Sequence, residues 1–93
     1  MNIQDIIESI ANQDQTVMVD VTKETYSILP DEGTLSVVDE QSRIYLGKDD
    51  AIAALFDADL FGWEVESFNW RTVPNGTPWV ELGITLFKTE VNG

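Results

Sequence analysis

The sequence predicts an α+β fold in which a small antiparallel sheet carries two helices, in the order α-β-β-β-β-α-β-β. Two segments place apolar residues at helical spacing, other segments alternate apolar with polar residues, and turn-forming residues separate the segments. The 93 residues, 43% of them hydrophobic, suit a single domain over residues 1–93. A compact domain of this length is expected to have a radius of gyration of about 12 to 13 Å.

The first helix is predicted from Ile3 to Asn12, with Asn2 as its N-cap and Asp5 in its first turn. Its apolar face is formed by isoleucines at i, i+3, i+4 and i+7, namely Ile3, Ile6, Ile7 and Ile10. A second helix is predicted from Asp49 or Asp50 to about Phe61, with Gly62 at its C-cap. The residues expected on the buried face of this second helix are Ile52, Leu55 and Phe56.

Four short strands are predicted between the helices, at residues 16–21, 25–29, 34–38 and 43–46. The turns between the last three of them are expected at residues 30–33 and 39–42, which are rich in acidic and turn-forming residues. After the second helix, residues 63–70 and 79–87 are predicted to pair as an antiparallel hairpin across Asn75-Gly76. The core face of the final strand is expected to carry Val80, Leu82, Ile84 and Leu86.

Charge is the strongest functional signal in the sequence. Seventeen acidic residues against five basic ones give a net charge of -12, and residues 1–67 hold the whole excess. Duplex DNA carries about one charge per 1.7 Å of its axis, so twelve charges correspond to about 20 Å of duplex. Five scattered cations cannot form a nucleic-acid-binding surface, whereas the acidic surface favours a basic protein partner. Solubility, or adaptation to high salt, is the alternative explanation.

The chemistry available to this chain is limited, because it contains neither His nor Cys. General bases, thiol nucleophiles and common zinc ligands of most enzymes are therefore missing, and no Gly-rich phosphate loop or calcium loop occurs. We expect a binding protein without enzymatic activity, cofactor or metal. No segment is long and apolar enough for a membrane span or a signal peptide, so a cytoplasmic location is expected. The aromatic cluster of Trp63, Trp70 and Trp79 fits either the core or an interface.

Three segments resemble the small acidic type II-A anti-CRISPR protein of Listeria prophages. The opening residues, from Met1-Asn2-Ile3 through Asp5, Ile7, Ile10, Asn12 and Asp14 to Thr16-Val17, stand in the same order and spacing. Residues 51–63, a helix ending on Gly62-Trp63, and Ile84-Thr85-Leu86 with Lys88 and Glu90 are similar to later segments of that family. The family continues with an acidic helix after Gly-Trp, whereas this chain predicts a neutral hairpin there.

The resemblance implies a phage-borne inhibitor that occupies the groove where a CRISPR effector nuclease reads its PAM duplex, offering carboxylates in place of phosphates. Such a groove is lined by arginines. By position, the resemblance implies partner contacts for Asp14, for Asp39 and Glu40 in the acidic turn, and for Glu64 and Glu66 after Gly62-Trp63. An immunity or antitoxin protein that neutralises a basic toxin, or another nucleic-acid enzyme, remains a second interpretation of the same acidic surface.

Overall fold

The computed structural model describes residues 2–29, 33–72 and 79–91. Two helices lie on one face of a four-stranded sheet, which confirms the α+β class. The helices are α1 (Ile3–Ala11) and α2 (Lys48–Leu60), and the strands are β1 (Thr16–Leu29), β2 (Thr34–Leu46), β3 (Glu64–Thr72) and β4 (Trp79–Val91). The order along the chain is therefore α-β-β-α-β-β, because two long strands replace the four short ones predicted between the helices.

The sheet is mixed, with the strand order β2-β1-β4-β3. The pairs β1–β2 and β3–β4 are antiparallel as predicted, but β1 and β4 run parallel at the centre of the sheet. The predicted hairpin of β3 and β4 is confirmed, with Glu64 opposite Phe87 and Thr72 opposite Val80. The Asn75-Gly76 turn predicted between these strands lies outside the described residues.

Helix α1 forms where its isoleucine pattern predicts. All four isoleucines are buried, and Asn2 and Asp5 make a capping box in which each side chain accepts from the backbone N–H of the other. This arrangement satisfies two N–H groups that the first turn would otherwise leave unpaired. The helix ends at Ala11, one residue before the predicted end.

Helix α2 begins at Lys48 after Gly47, and Asp49 and Asp50 lie in its first turn rather than at its N-cap. It ends in a Schellman motif, because Gly62 has a φ of 85° and the N–H of Trp63 reaches the carbonyl of Ala58 at 3.0 Å. Its buried face consists of Ala51, Leu55 and Ala58. The prediction that Phe56 is buried is wrong, since half of its surface is exposed.

The core lies between the helices and one half of the sheet. Alternate residues of the two central strands are buried against the helices, namely Val17, Val19, Val21, Leu82, Ile84 and Leu86. The helices have 9 and 13 residues, about 14 and 20 Å of helix, whereas β1 extends for 14 residues, about 46 Å. The sheet therefore projects beyond the helices, and the radius of gyration is 15.0 Å rather than the 12 to 13 Å of a compact domain.

Candidate functional site

The opposite face of the sheet, which carries no helix, contains the feature with the clearest functional potential. We call it the open face. Val19, Val21 and Leu86 are buried on the helix-bearing face. Since strand residues alternate between faces, Asp20, Glu24 and Phe87 lie on the open face. Cross-strand partners share a face, so the register of the sheet determines which other side chains join them.

Carboxylates cross the full width of the open face. Glu40 on β2 is directly opposite Glu24 on β1, Glu24 is opposite Phe87 on β4, and Phe87 is opposite Glu64 on β3. We call Glu40, Glu24 and Glu64 the acidic row. With strands spaced about 4.8 Å apart, the row is about 14 Å wide. The register between Thr25 and Tyr26 changes just beyond the row, where a β-bulge interrupts the pairing with β2.

A fourth carboxyl group, that of Glu66, lies beside the acidic row. The register of β3 against β4 shifts between Val65 and Ser67, so Glu66 is the bulge residue. The Tyr26 hydroxyl donates to Glu24 Oε2 at 2.6 Å, and Glu66 Oε1 lies 3.5 Å from the same hydroxyl oxygen. One hydroxyl carries one proton, so Tyr26 satisfies Glu24 while Glu66 faces a neighbouring carboxylate.

This crowding changes the titration of both groups that share Glu24. Desolvation is the largest cause that raises the pKa of Glu66, and the nearby Glu24 carboxyl raises it further. The hydrogen bond to Glu24 is the largest cause that raises the pKa of Tyr26, to about 12. The acidic row and the adjoining Glu66 therefore hold negative charges together against their mutual repulsion, with the Tyr26 hydroxyl between Glu24 and Glu66.

The basic side chains do not neutralise these acids. Lys23 and Lys88 each place their ammonium 5.3 Å from the ring centroid of Trp63, and the Arg43 guanidinium lies 5.1 Å from the centroid of the Tyr45 ring. The remaining two cations are engaged as well, since Lys48 donates to the carbonyl of Gln13 and Arg71 lies over Gly83. Between the described residues, no Lys or Arg nitrogen lies within 4.0 Å of a carboxylate oxygen.

A second polar region of the open face surrounds Gly83, where the missing side chain leaves a depression. A Cβ at Gly83 would lie 3.0 Å from Nη2 of Arg71, so the guanidinium rests on the glycine backbone. On the other side of Gly83 is its cross-strand partner Asp20, whose Oδ1 is buried and has no hydrogen-bond partner among the described residues. Ser67 and Asn69 also line the depression. This region adds polar groups to the open face next to the acidic row.

Three of the five predicted partner-contacting acids meet on the open face. Glu40 and Glu64 belong to the acidic row and Glu66 adjoins it. The other two are elsewhere: Asp39 has Thr25 as its partner on the helix-bearing face and accepts from Gln41 Nε2 at 3.2 Å, and Asp14 is exposed after α1. The prediction that Asp39 and Glu40 form a turn is wrong, because both lie within β2.

Sequence reasoning missed the central member of the row. Glu24 lies between two predicted strands, in a polar stretch without an alternating apolar signal, so nothing in the local pattern placed it opposite Glu40.

The aromatic cluster divides between the two interpretations left open for it. Trp63 and Trp70 are half-buried against the core, whereas Trp79 lies on the open face with 39% of its surface exposed.

No metal or membrane feature competes with this site in the described part of the chain. Residues 2–29, 33–72 and 79–91 contain no group of three acidic side chains placed to hold a metal ion. Neither α1 nor α2, the helices of the described residues, combines the length and apolar character needed to cross a bilayer. No protein-family model matches the chain, and no curated protein or solved structure matches it significantly.

Proposed function

We propose that this protein is an inhibitor that binds a basic, nucleic-acid-binding groove of another protein, presenting the carboxylates of its open face in place of phosphates. The acidic row carries this proposal, because it aligns acids from three strands on an exposed surface that no basic side chain neutralises. A row of this kind matches a groove whose arginines and lysines follow a nucleic-acid backbone.

The spacing of charges supports a match to one nucleic-acid strand more than to a duplex. The molecule is 52 Å long and has a net charge of -12, which is about one charge per 4 Å, against about 1.7 Å for duplex DNA and 3.4 Å for each strand. Across the open face the strand spacing places Glu40 and Glu24 about 4.8 Å apart and Glu24 and Glu64 about 9.6 Å apart, and Glu66 adds a fourth carboxyl group beside Glu64. The elongated fold thus dilutes the charge density inferred from the sequence, and the open face gathers four of the carboxyl groups.

The resemblance of the opening segment to the type II-A anti-CRISPR family makes the effector nuclease of a type II-A CRISPR system the target that we propose to test first. That class of nuclease reads its PAM with two arginines, which are suited to carboxylates. The hairpin of β3 and β4 stands where the family has an acidic helix, so we propose that the acidic row replaces the acids of that helix in the contact.

Competition for DNA is the direct test. Binding of labelled PAM-containing duplex to the guide-loaded nuclease is measured with increasing amounts of this protein. We expect the duplex to be displaced, and displacement to weaken as salt rises, because the contact consists of charge pairs. Simultaneous binding of duplex and protein at saturating concentrations would refute phosphate mimicry. Binding to a basic toxin instead of the nuclease would favour the immunity interpretation.

A matched pair of variants assigns the contact to the open face. Glu24→Gln, Glu40→Gln and Glu64→Gln together remove three charges from the acidic row. The control set, Glu8→Gln, Asp50→Asn and Asp57→Asn, removes three exposed charges from the helices. We expect the first set to weaken binding by about a hundredfold, or about 2.7 kcal/mol, since removing one member of a desolvated pair costs about 2 to 5 kcal/mol. The control set should change mainly the association rate.

The two predicted contacts outside the open face need their own variant. Asp14→Asn with Asp39→Asn leaves the acidic row intact and tests whether the interface extends around the sheet to its helix-bearing side. A loss of affinity comparable with that of the row variant would mean that the partner contacts both faces of the sheet. An unchanged affinity would restrict the contact to the open face.

A further inference from the structure

Strand β2 is an edge strand with unusual exposure. In the described structure it pairs with β1 alone, so the outward N–H and C=O groups along its 13 residues face solvent. Four of its apolar side chains are also exposed: Val37 by 48%, Val38 by 56%, Ile44 by 57% and Leu46 by 74%. The opposite edge strand, β3, has only 9 residues and is bulged at Glu66, whereas the bulge of β2, at Val38, leaves the eight residues from Asp39 to Leu46 in unbroken register with β1. Residues 34–46 contain neither Lys nor Pro to block the β2 edge.

We propose that β2 pairs antiparallel with β2 of a second copy of this chain, around a two-fold axis at Gln41. This register places Arg43 opposite Asp39 of the second copy and, by symmetry, Asp39 opposite Arg43. It also places Glu40 opposite Ser42 of the second copy, twice. Both copies therefore gain two cross-strand charge pairs of opposite sign from one self-complementary segment, residues 39–43.

Neighbouring registers lack this complementarity. In an antiparallel pair, residues directly opposite each other point to the same face of the sheet. A two-fold axis between two copies of β2 therefore passes beside one residue, which lies opposite its own copy. An axis at Asp39, Glu40 or Arg43 places that charged residue opposite itself. An axis at Ser42 places Glu40 opposite Ile44 and leaves the charge of Arg43 without an acidic partner. Only the axis at Gln41 pairs the charges of this segment with opposite sign.

The faces of the sheet agree with this register. Asp39 and Arg43 are the partners of Thr25 and Val21, so both side chains lie on the helix-bearing face and meet there across the axis. The Tyr45 ring holds the Arg43 guanidinium beside the same face. Glu40 and Ser42 are the partners of Glu24 and Thr22, so both lie on the open face and meet there across the axis. The pairing makes one eight-stranded sheet and does not depend on the function proposed above.

The oligomeric mass tests the pairing. Light scattering and sedimentation across a range of concentrations should give twice the monomer mass of 10.4 kDa. Arg43→Glu should raise the dissociation constant about tenfold or more, because two attractive pairs become repulsive. Asp39→Arg combined with Arg43→Asp should restore the dimer. Lys88→Glu, which changes the net charge equally but lies on β4, should leave it intact, and circular dichroism checks that every variant is folded.

A cysteine at the axis tests the register. The chain contains no Cys, so Gln41→Cys introduces a single thiol that meets its own copy directly. Opposite residues have Cβ atoms about 4.5 to 5.5 Å apart, close to what a disulfide spans. Mild oxidation should yield a covalent dimer at micromolar concentration, whereas Gln15→Cys, in the loop before β1, should stay monomeric under the same conditions. A monomer at every concentration, or equal cross-linking of both variants, would overturn the proposal.

Discussion

The crowded carboxyl groups of Glu24 and Glu66 allow a sharp prediction about stability. Glu66→Gln removes one of two like charges held next to each other on the open face, while the amide keeps the size of the side chain. The two side chains reach the same Tyr26 hydroxyl from strands on either side of β4, and their repulsion is expected to be similar in size to a cross-strand pair interaction, about 0.2 to 1 kcal/mol. We therefore expect Glu66→Gln to be more stable than the original protein near neutral pH.

The pH dependence follows from the direction of the pKa shift. The folded-state pKa of Glu66 is raised, so its contribution to stability is fully present below the unfolded-state pKa and is lost as pH rises through the folded-state pKa. At neutral pH the ionised group disfavours the folded state, and at about pH 3 it is protonated in both states. The stabilisation by Glu66→Gln should thus be present near pH 7.5 and vanish near pH 3.

Thermal melting at these two pH values measures the effect. A gain of about 0.5 kcal/mol corresponds to a rise of about 2 to 4 °C in the melting temperature for a domain of this size. Glu90→Gln is the matched control, since Glu90 is exposed on β4 and faces the uncharged Ser27 of β1. Equal shifts for both variants, or a Glu66→Gln shift that persists at about pH 3, would refute the repulsion argued for Glu24 and Glu66.

Three further predictions concern the hydroxyl, the core and the first helix. Tyr26, whose pKa is raised to about 12, should keep its proton at a pH where free tyrosine has lost it. Ultraviolet titration should therefore show that one of the two tyrosines ionises at a higher pH than the other, and Tyr26→Phe should remove that later step. Its contribution to stability should be intact below about pH 10 and disappear towards pH 12. Leu55→Ala should destabilise the domain by about 2 to 5 kcal/mol in denaturant unfolding, whereas Phe56→Ala, one position along α2 and half exposed, should cost much less. Asn2→Ala should cost about 0.5 to 2 kcal/mol because it removes the capping box of α1, and Asn2→Ser should recover most of that loss.

The sequence was sufficient where a single periodicity ran through a whole element. The isoleucines of α1 and the alternation of Leu82, Ile84 and Leu86 in β4 both identify core-facing positions correctly, because the entire length of these runs packs against the other layer. The hairpin of β3 and β4 was likewise predictable, since its turn signal and its two flanking strands are local in sequence.

The long strands were not predictable in the same way. Beyond Val21 the helix-bearing face of β1 carries Lys23 and Thr25, so the apolar signal disappears although the strand continues. Hydrogen bonds to β2 and β4 on both sides hold that polar stretch extended. The run Asp39 to Ser42 has the composition of a turn, but it is extended because it pairs with Thr22 to Thr25. The parallel pairing of β1 with β4 is a long-range choice that no local pattern encodes.

The arrangement of the acids bears on whether they serve solubility or binding. Solubility requires only that charges be exposed, and it is served best when like charges stand apart, because their repulsion then costs the fold little. Here Glu24 on β1 lies directly opposite Glu40 on β2, and the Tyr26 hydroxyl lies between Glu24 and Glu66. All five cations contact rings, a carbonyl or a glycine backbone elsewhere. A stable fold that keeps such a costly cluster is consistent with selection for what the cluster binds. Both explanations predict that Glu66→Gln melts at a higher temperature, and they differ in what is lost: under the solubility explanation the variant loses nothing, whereas under the binding explanation it also inhibits its target less.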